Sequence, residues 1–169
     1  MTFVDAFAYV VGVEGNLSLD PNDPGNWTGG KVGAGALKGT KYGVSAAAFP
    51  LLDIANLSLS DAQSIAKRDY WDKIGGDSLP YGVALLLFDF GYNAGIEEAV
   101  RNAQRACGIQ VDGALGPQTL ATLRNINVRS FAIVFTAHRL VAYSDMPNWA
   151  EERNGWVSRS LNTLVQAVS

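Results

Sequence analysis

At 169 residues the chain is most simply one domain, long enough to bury about two-thirds of its unfolded surface. Hydrophobic residues make up 48% and charged residues 17%, which excludes a disordered chain. A net charge of −3 with no clustered Lys/Arg stripe excludes nucleic acid or anionic lipid as the main partner.

The first element is a helix over residues 3–14, where Phe3, Phe7, Val10, Val11 and Glu14 recur at steps of three and four. This run has no basic leader, carries Asp5 and lacks a cleavage site, so it reads as neither a secretory signal nor a bilayer span. Synthesis in the cytoplasm without a signal peptide is the expectation, with a separate exit route to any target outside. Residues 15–43 then hold eight glycines and the turn signals Asp20-Pro21, Asp23-Pro24 and Gly29-Gly30. They predict a long loop with room for a short hairpin, and loops of that size in compact domains usually carry function.

Ser60 with Gln63 forms a capping-box pattern that predicts a helix to about Lys73. Pro80 opens the next helix, "YGVALLLFDFGYNAG", whose residues 83–90 are apolar nearly all round and belong in the middle of a core. An amphipathic helix follows over 96–107 and stops at Gly108. Pro117 starts a short helix after the turn "VDGALGP". Helices over 128–145 and 147–168 finish the chain, with a break expected at Asn154-Gly155. The fold class is mainly α, one central buried helix wrapped by the others, without repeats or low-complexity linkers.

One cysteine, Cys107, and one histidine, His138, leave no intrachain disulfide and no His/Cys zinc site of the usual ligand count. No metal or cofactor is expected. Cys107 reads as a small apolar residue near a helix end and His138 as an ordinary helix member.

Of five glutamates, Glu97, Glu98, Glu151 and Glu152 come as adjacent pairs in polar helical stretches, the pattern of solvated faces. Glu14 stands apart, one turn beyond Val10 and Val11 on the side expected to touch the core. A carboxyl held against apolar neighbours has its charged form disfavoured and can stay protonated, which suits a general acid. Asp20 and Asp23 follow in polar turn sequence, where a carboxylate stays ionised. A neutral acid facing an ionised carboxylate is the arrangement that cuts glycosidic bonds. Asp-Pro twice within five residues is equally a way to build two turns, because Asp accepts local backbone N–H groups.

The stretches "VEGNLSLDPNDPGNW" and "GTKYGVS" resemble the N-terminal signature of the family 108 glycoside hydrolases, muramidases of phage and bacteria once described as secretion activators. The likeness continues in order through "YWDKI", "LLFDFGYNAG", "CGIQVDGALGPQTLATL" and "GWVSR" and covers nearly the whole chain. It implies a lysozyme-like helical domain in residues 1–95. Residues 96–169 would form a helical part with a peptidoglycan-binding-like segment, packed in the same compact unit. It also implies Glu14 as catalytic acid, with the pattern's two aspartates falling on Asp20 and Asp23 and its threonine on Thr40. The order Glu, Asp, Thr in related phage lysozymes favours Asp23 and Thr40 as partners of Glu14.

Three positions depart from the family pattern. Asn16 replaces the second glycine of E-G-G, and Leu17 replaces the tyrosine after it. The link before the hairpin signature is expanded to "NWTGGKVGAGALKG", with Lys41 in place of Asn and a second threonine, Thr28. Asp20, Trp27, Tyr42 and Asn93 are the expected substrate-binding residues; Trp27 would stack on a sugar or cap the core. Asp89 and Asn93, four apart on the central helix, need polar partners and read as a hydrogen-bonded scaffold.

The implied reaction is hydrolysis of the β-1,4 bond between N-acetylmuramic acid and N-acetylglucosamine. Carboxyls about 6.5–9.5 Å apart would give inversion and about 5 Å retention. Two alternatives stand beside it: a lytic transglycosylase using Glu14 alone, and a non-catalytic wall-binding or virion module. Peptidoglycan strands are the expected partner, the chain a monomer, and its site of action the cell wall or periplasm. A phage endolysin released by a holin, a particle-borne lysin and a bacterial autolysin-like protein all fit.

Overall fold

In the computed structural model, which describes residues 2–146 and 148–169, seven α-helices and one two-stranded ribbon follow one another. They are α1 (Phe3–Val10), β1 (Thr40–Lys41), β2 (Val44–Ser45), α2 (Leu59–Ala66), α3 (Tyr81–Ala94), α4 (Ile96–Cys107), α5 (Pro117–Arg124), α6 (Val128–Ser144) and α7 (Trp149–Val168). The chain packs as two units, one of residues up to 6 with 68–169, the other of residues 7–67.

In the larger unit, α3 is the axis. Pro80 precedes it, where a missing N–H costs nothing, and every residue from Gly82 to Gly91 is buried. Helices α4, α6 and α7 pack around it, and α6 also lies along α7. Each Leu or Phe of this run contributes about 1.5–3 kcal/mol by burial, enough to make the apolar stretch the organiser of the unit. The first turn of α1 joins through Phe3, whose ring meets Trp71 at 5.6 Å and Phe88 at 6.0 Å, both edge-on. The α4 surface is held by Glu97–Arg101 at 2.9 Å and Glu98–Arg105 at 2.8 Å, in keeping with a solvated face.

Expectations about the limits of α2 and α7 need correcting. The capping box belongs to Ser58 and Asp61, because Ser58 Oγ accepts from the Asp61 N–H at 3.1 Å while the Asp61 carboxylate accepts back from Ser58. Helix α2 therefore starts earlier and gives way after Ala66 to a π-helical turn, Lys67–Trp71. Helix α7 runs unbroken through Asn154-Gly155. Contacts on the far side of the glycine hold it: the Trp156 ring stacks on Tyr143 at 4.6 Å, and Arg159 pairs with Asp89. The helix start expected at residue 147 lies outside the described residues.

The smaller unit is a loop fold closed by α2. Thr40 pairs with Ser45 and Lys41 with Val44, and the turn between them puts Tyr42 at φ 49° and Gly43 at φ 70°. Two positive φ values in a two-residue turn match the right-handed twist of paired strands. Lys38 Nζ donates to Pro50 O at 2.7 Å and Lys41 Nζ to Ala55 O at 3.0 Å, tying the ribbon to the segment before α2. Among the described residues no helix is long and apolar enough to cross a membrane.

Candidate active site

Glu14 does not lie on α1. The helix ends at Val10, Gly12 takes φ +84°, and Glu14 emerges exposed four residues past the last helical turn. The apolar contact expected from helical spacing is absent because a left-handed glycine redirects the chain before the next turn can form. What fixes the segment instead is the ribbon. Ser18 and Thr40 exchange backbone hydrogen bonds at 2.9 and 3.0 Å. The Tyr42 hydroxyl lies so close to the Gly15 backbone that a Cβ at position 15 would collide with it. Gly15 thus lets an aromatic ring seat directly against the residue after Glu14.

Both aspartates are used in turns. Asp20 Oδ1 accepts from the Asn22 backbone at 2.9 Å and from its side chain at 3.1 Å. Asp23 Oδ1 accepts from Gly25 N–H at 2.8 Å and caps the short 3-10 helix Pro24–Asn26. Trp27 is half-buried, and its indole N–H donates to Pro21 O at 2.9 Å, which fixes its edge. Thr28 Oγ1 accepts from Ala36 N–H at 2.9 Å, so that hydroxyl serves the loop. The Thr40 hydroxyl has no partner among the described residues.

The expanded link closes on itself. Trp27 bridges to Leu37, Thr28 N–H donates to Ala36 O at 3.0 Å, and Gly29 N–H donates to Ala34 O at 3.0 Å. At its root Asn26, fully buried, accepts at its carbonyl from the N–H groups of both Lys38 and Gly39. Sequence reasoning missed Asn26, which lies in a turn-rich stretch with no periodicity to mark it as buried.

In the larger unit, Asp89 is fully partnered. Its carboxylate takes the buried Arg139, Arg159 at 2.6 Å and the Thr163 hydroxyl at 3.1 Å. Arg139 also donates to Tyr143 Oη from two nitrogens, at 3.2 and 2.9 Å. Burial raises the Tyr143 phenol above its ordinary value against the pull of Arg139, so it keeps its proton. That proton goes to Asn93 Oδ1 at 2.9 Å. Since both arginine contacts are donors, Asn93 must offer its oxygen to Tyr143 and turn its amide N–H groups outward. Arg139, Tyr143, Arg159 and Thr163 were not singled out from the sequence. The signal for Arg139 was a charged residue inside the apolar run "FTAHRLVAY", which calls for a carboxylate on another buried helix.

The glycosyl hydrolase 108 family model matches residues 7–95, more than half of the chain. The chain belongs to glycosyl hydrolase family 108. A peptidoglycan binding domain model matches residues 89–123 of this family 108 protein, overlapping α3 and running through α4 to α5. The solved structure of Brucella abortus SagA is similar over 98% of this chain and 93% of its own, with 27% identity and a TM-score of 0.82. No curated protein matches. The fold is lysozyme-like, mainly helical with a buried central helix and a short hairpin after the first helix. The family 108 protein is a glycoside hydrolase of the peptidoglycan-hydrolase, lysozyme-like kind, and peptidoglycan is its substrate partner.

Proposed function

We propose that this family 108 protein is an N-acetylmuramidase, hydrolysing the β-1,4 bond between N-acetylmuramic acid and N-acetylglucosamine with Glu14 as general acid. One observation carries the role of Glu14. Residues 2–67 contain six acidic side chains, and five of them, Asp5, Asp20, Asp23, Asp53 and Asp61, accept hydrogen bonds from residues two or three away. Glu14 alone has no partner among the described residues. A carboxyl that builds no turn, carried on a backbone clamped by Tyr42, is free to meet a substrate.

Glu14 protonates the departing glycosidic oxygen, and the bound glycan itself excludes the water that surrounds this carboxyl in the free chain. Asp23 keeps Oδ2 open beside the oxygen that caps the turn, and with the Thr40 hydroxyl it orients water and steadies positive charge at the anomeric carbon. The engagement of Thr28 in its loop supports Thr40 for that role. Asp20, Trp27 and Tyr42 contact the sugars.

The isolation of Glu14 equally supports a lytic transglycosylase, in which Glu14 acts as acid then base and a substrate hydroxyl attacks. The test is wild type beside Glu14→Gln on purified peptidoglycan, with the released fragments weighed. Hydrolysis gives fragments that have gained water, whereas transglycosylation gives anhydro ends one water lighter. Undiminished lysis by Glu14→Gln removes Glu14 from the reaction. Wild type that sediments with sacculi yet never lowers their turbidity is a wall-binding module.

A further inference from the structure

A concave site lies in the larger unit, where α4 faces α6. It is a cleft of about 450 Å³, within the range of small-ligand sites. Glu98 and Arg105 come from α4, His138 from α6 and Asp145 from the α6 C-terminus, over a floor of Val141, Ala142 and Met146.

The charges in this cleft are mixed and only partly used. Glu98 Oε1 takes Arg105 Nη1 at 2.8 Å, which leaves the other carboxylate oxygen and most of the guanidinium donors for a ligand. Asp145 and His138 make no hydrogen bond or ion pair among the described residues. An anion, a cation and an imidazole around an aliphatic floor suit a ligand that carries an ammonium and a carboxylate on a short aliphatic frame. A neutral sugar ring offers no opposite charge to this anion and cation, whereas a zwitterionic ligand pairs with both. The cross-linking peptide stem of peptidoglycan has the required chemistry, with a diamino acid and free carboxylates.

We propose that the α4–α6 cleft binds the peptide stem of peptidoglycan. Glu98 and Asp145 receive the side-chain ammonium, Arg105 and His138 receive a carboxylate, and Val141, Ala142 and Met146 cover the alanyl methyl groups. The proposal rests on peptidoglycan being the substrate of the Glu14 segment, and it gives the chain a hold on the wall that is independent of the sugar backbone.

The experiment is an NMR titration of the full chain with a synthetic tetrapeptide stem carrying a free diamino-acid side chain. The same stem acetylated on that amine and a peptide-free disaccharide serve as comparisons. Saturable shifts centred on α4 and α6 are expected with the free stem. Affinity should fall about tenfold with Asp145→Asn, with Arg105→Gln, or on acetylation, the effect of losing one charged contact. Absence of saturable binding overturns the proposal, as does binding indifferent to both variants and to acetylation. Cleavage of glycan strands stripped of peptide separates this from the muramidase reading. Both variants should cleave them like wild type, and a wild type that cleaves neither these strands nor intact peptidoglycan defeats the muramidase reading while the titration still decides the cleft.

Discussion

Glu14 and Asp89 are both carboxylates next to apolar sequence, and the two units treat them in opposite ways. Residues 7–67 leave Glu14 exposed and unpartnered on a turn-built scaffold, whereas residues 68–169 bury Asp89 with two arginines and a threonine. A saturated, buried carboxylate has nothing left to offer a substrate, but its loss leaves an uncompensated charge. An untethered one contributes little to the fold and retains its whole capacity for chemistry. The contrast sorts scaffold from reactant without reference to motif.

The sharpest break of that contrast is Glu14→Gln. It should lower muralytic rate by about 10²–10⁴-fold, the usual worth of a general acid, while stability moves by less than about 0.5 kcal/mol. Turbidity loss of sacculi and thermal unfolding check the two halves. Asp89→Ala should do the reverse, destabilising by about 3–5 kcal/mol in urea unfolding because the fully buried Arg139 loses its counter-charge. An Asp89→Ala protein as stable as wild type would sink the scaffold role. Gly15→Ala probes the clamp beside Glu14. Displacing Tyr42 should cost roughly 10- to 100-fold in turnover through misplacement of the acid, measured on the same sacculi.

The smallest effect lies at the α2 cap. Ser58→Ala should cost about 1 kcal/mol, read as a drop in melting temperature. The Ser58 hydroxyl, and then the Ser58 N–H, hold the Asp61 carboxyl below its ordinary value. A folded-state pKa below the unfolded one means that this stabilisation is present above about pH 3.9 and fades as acid titrates the folded group. The gap in melting temperature between wild type and Ser58→Ala should therefore narrow as pH falls below that point.

Much of the helical frame was legible because proline and glycine punctuate it. Pro80, Gly108 and Pro117 mark limits of α3, α4 and α5 that the structure reproduces within a residue. The limits of α1 and α2 were harder. Helical spacing carried α1 to Glu14, whereas Gly12 ended it. The Ser60–Gln63 pattern pointed inside the true cap, where the Asp61 carboxylate reaches back to Ser58. Asp89 and Asn93 announced a need for partners, but Arg139, Arg159 and Thr163 lie 50, 70 and 74 residues away from Asp89, and no local rule names them. In residues 7–67 the turns were readable from Asp, Pro and Gly. The seating of Tyr42 on Gly15 was not, because it arises only once the ribbon has closed.

The self-closed link between Asn26 and Gly39 separates the length of this segment from its endpoints. Because Asn26 gathers the returning strand at its root, residues within the lasso can be added, trimmed or recoded while Thr40 enters the ribbon at the same place. Loop length is cheap in chain entropy, about 0.6 kcal/mol per doubling. The segment is therefore a natural port for grafting, through which a lineage or an engineer can alter what the protein recognises without disturbing the register that seats Glu14.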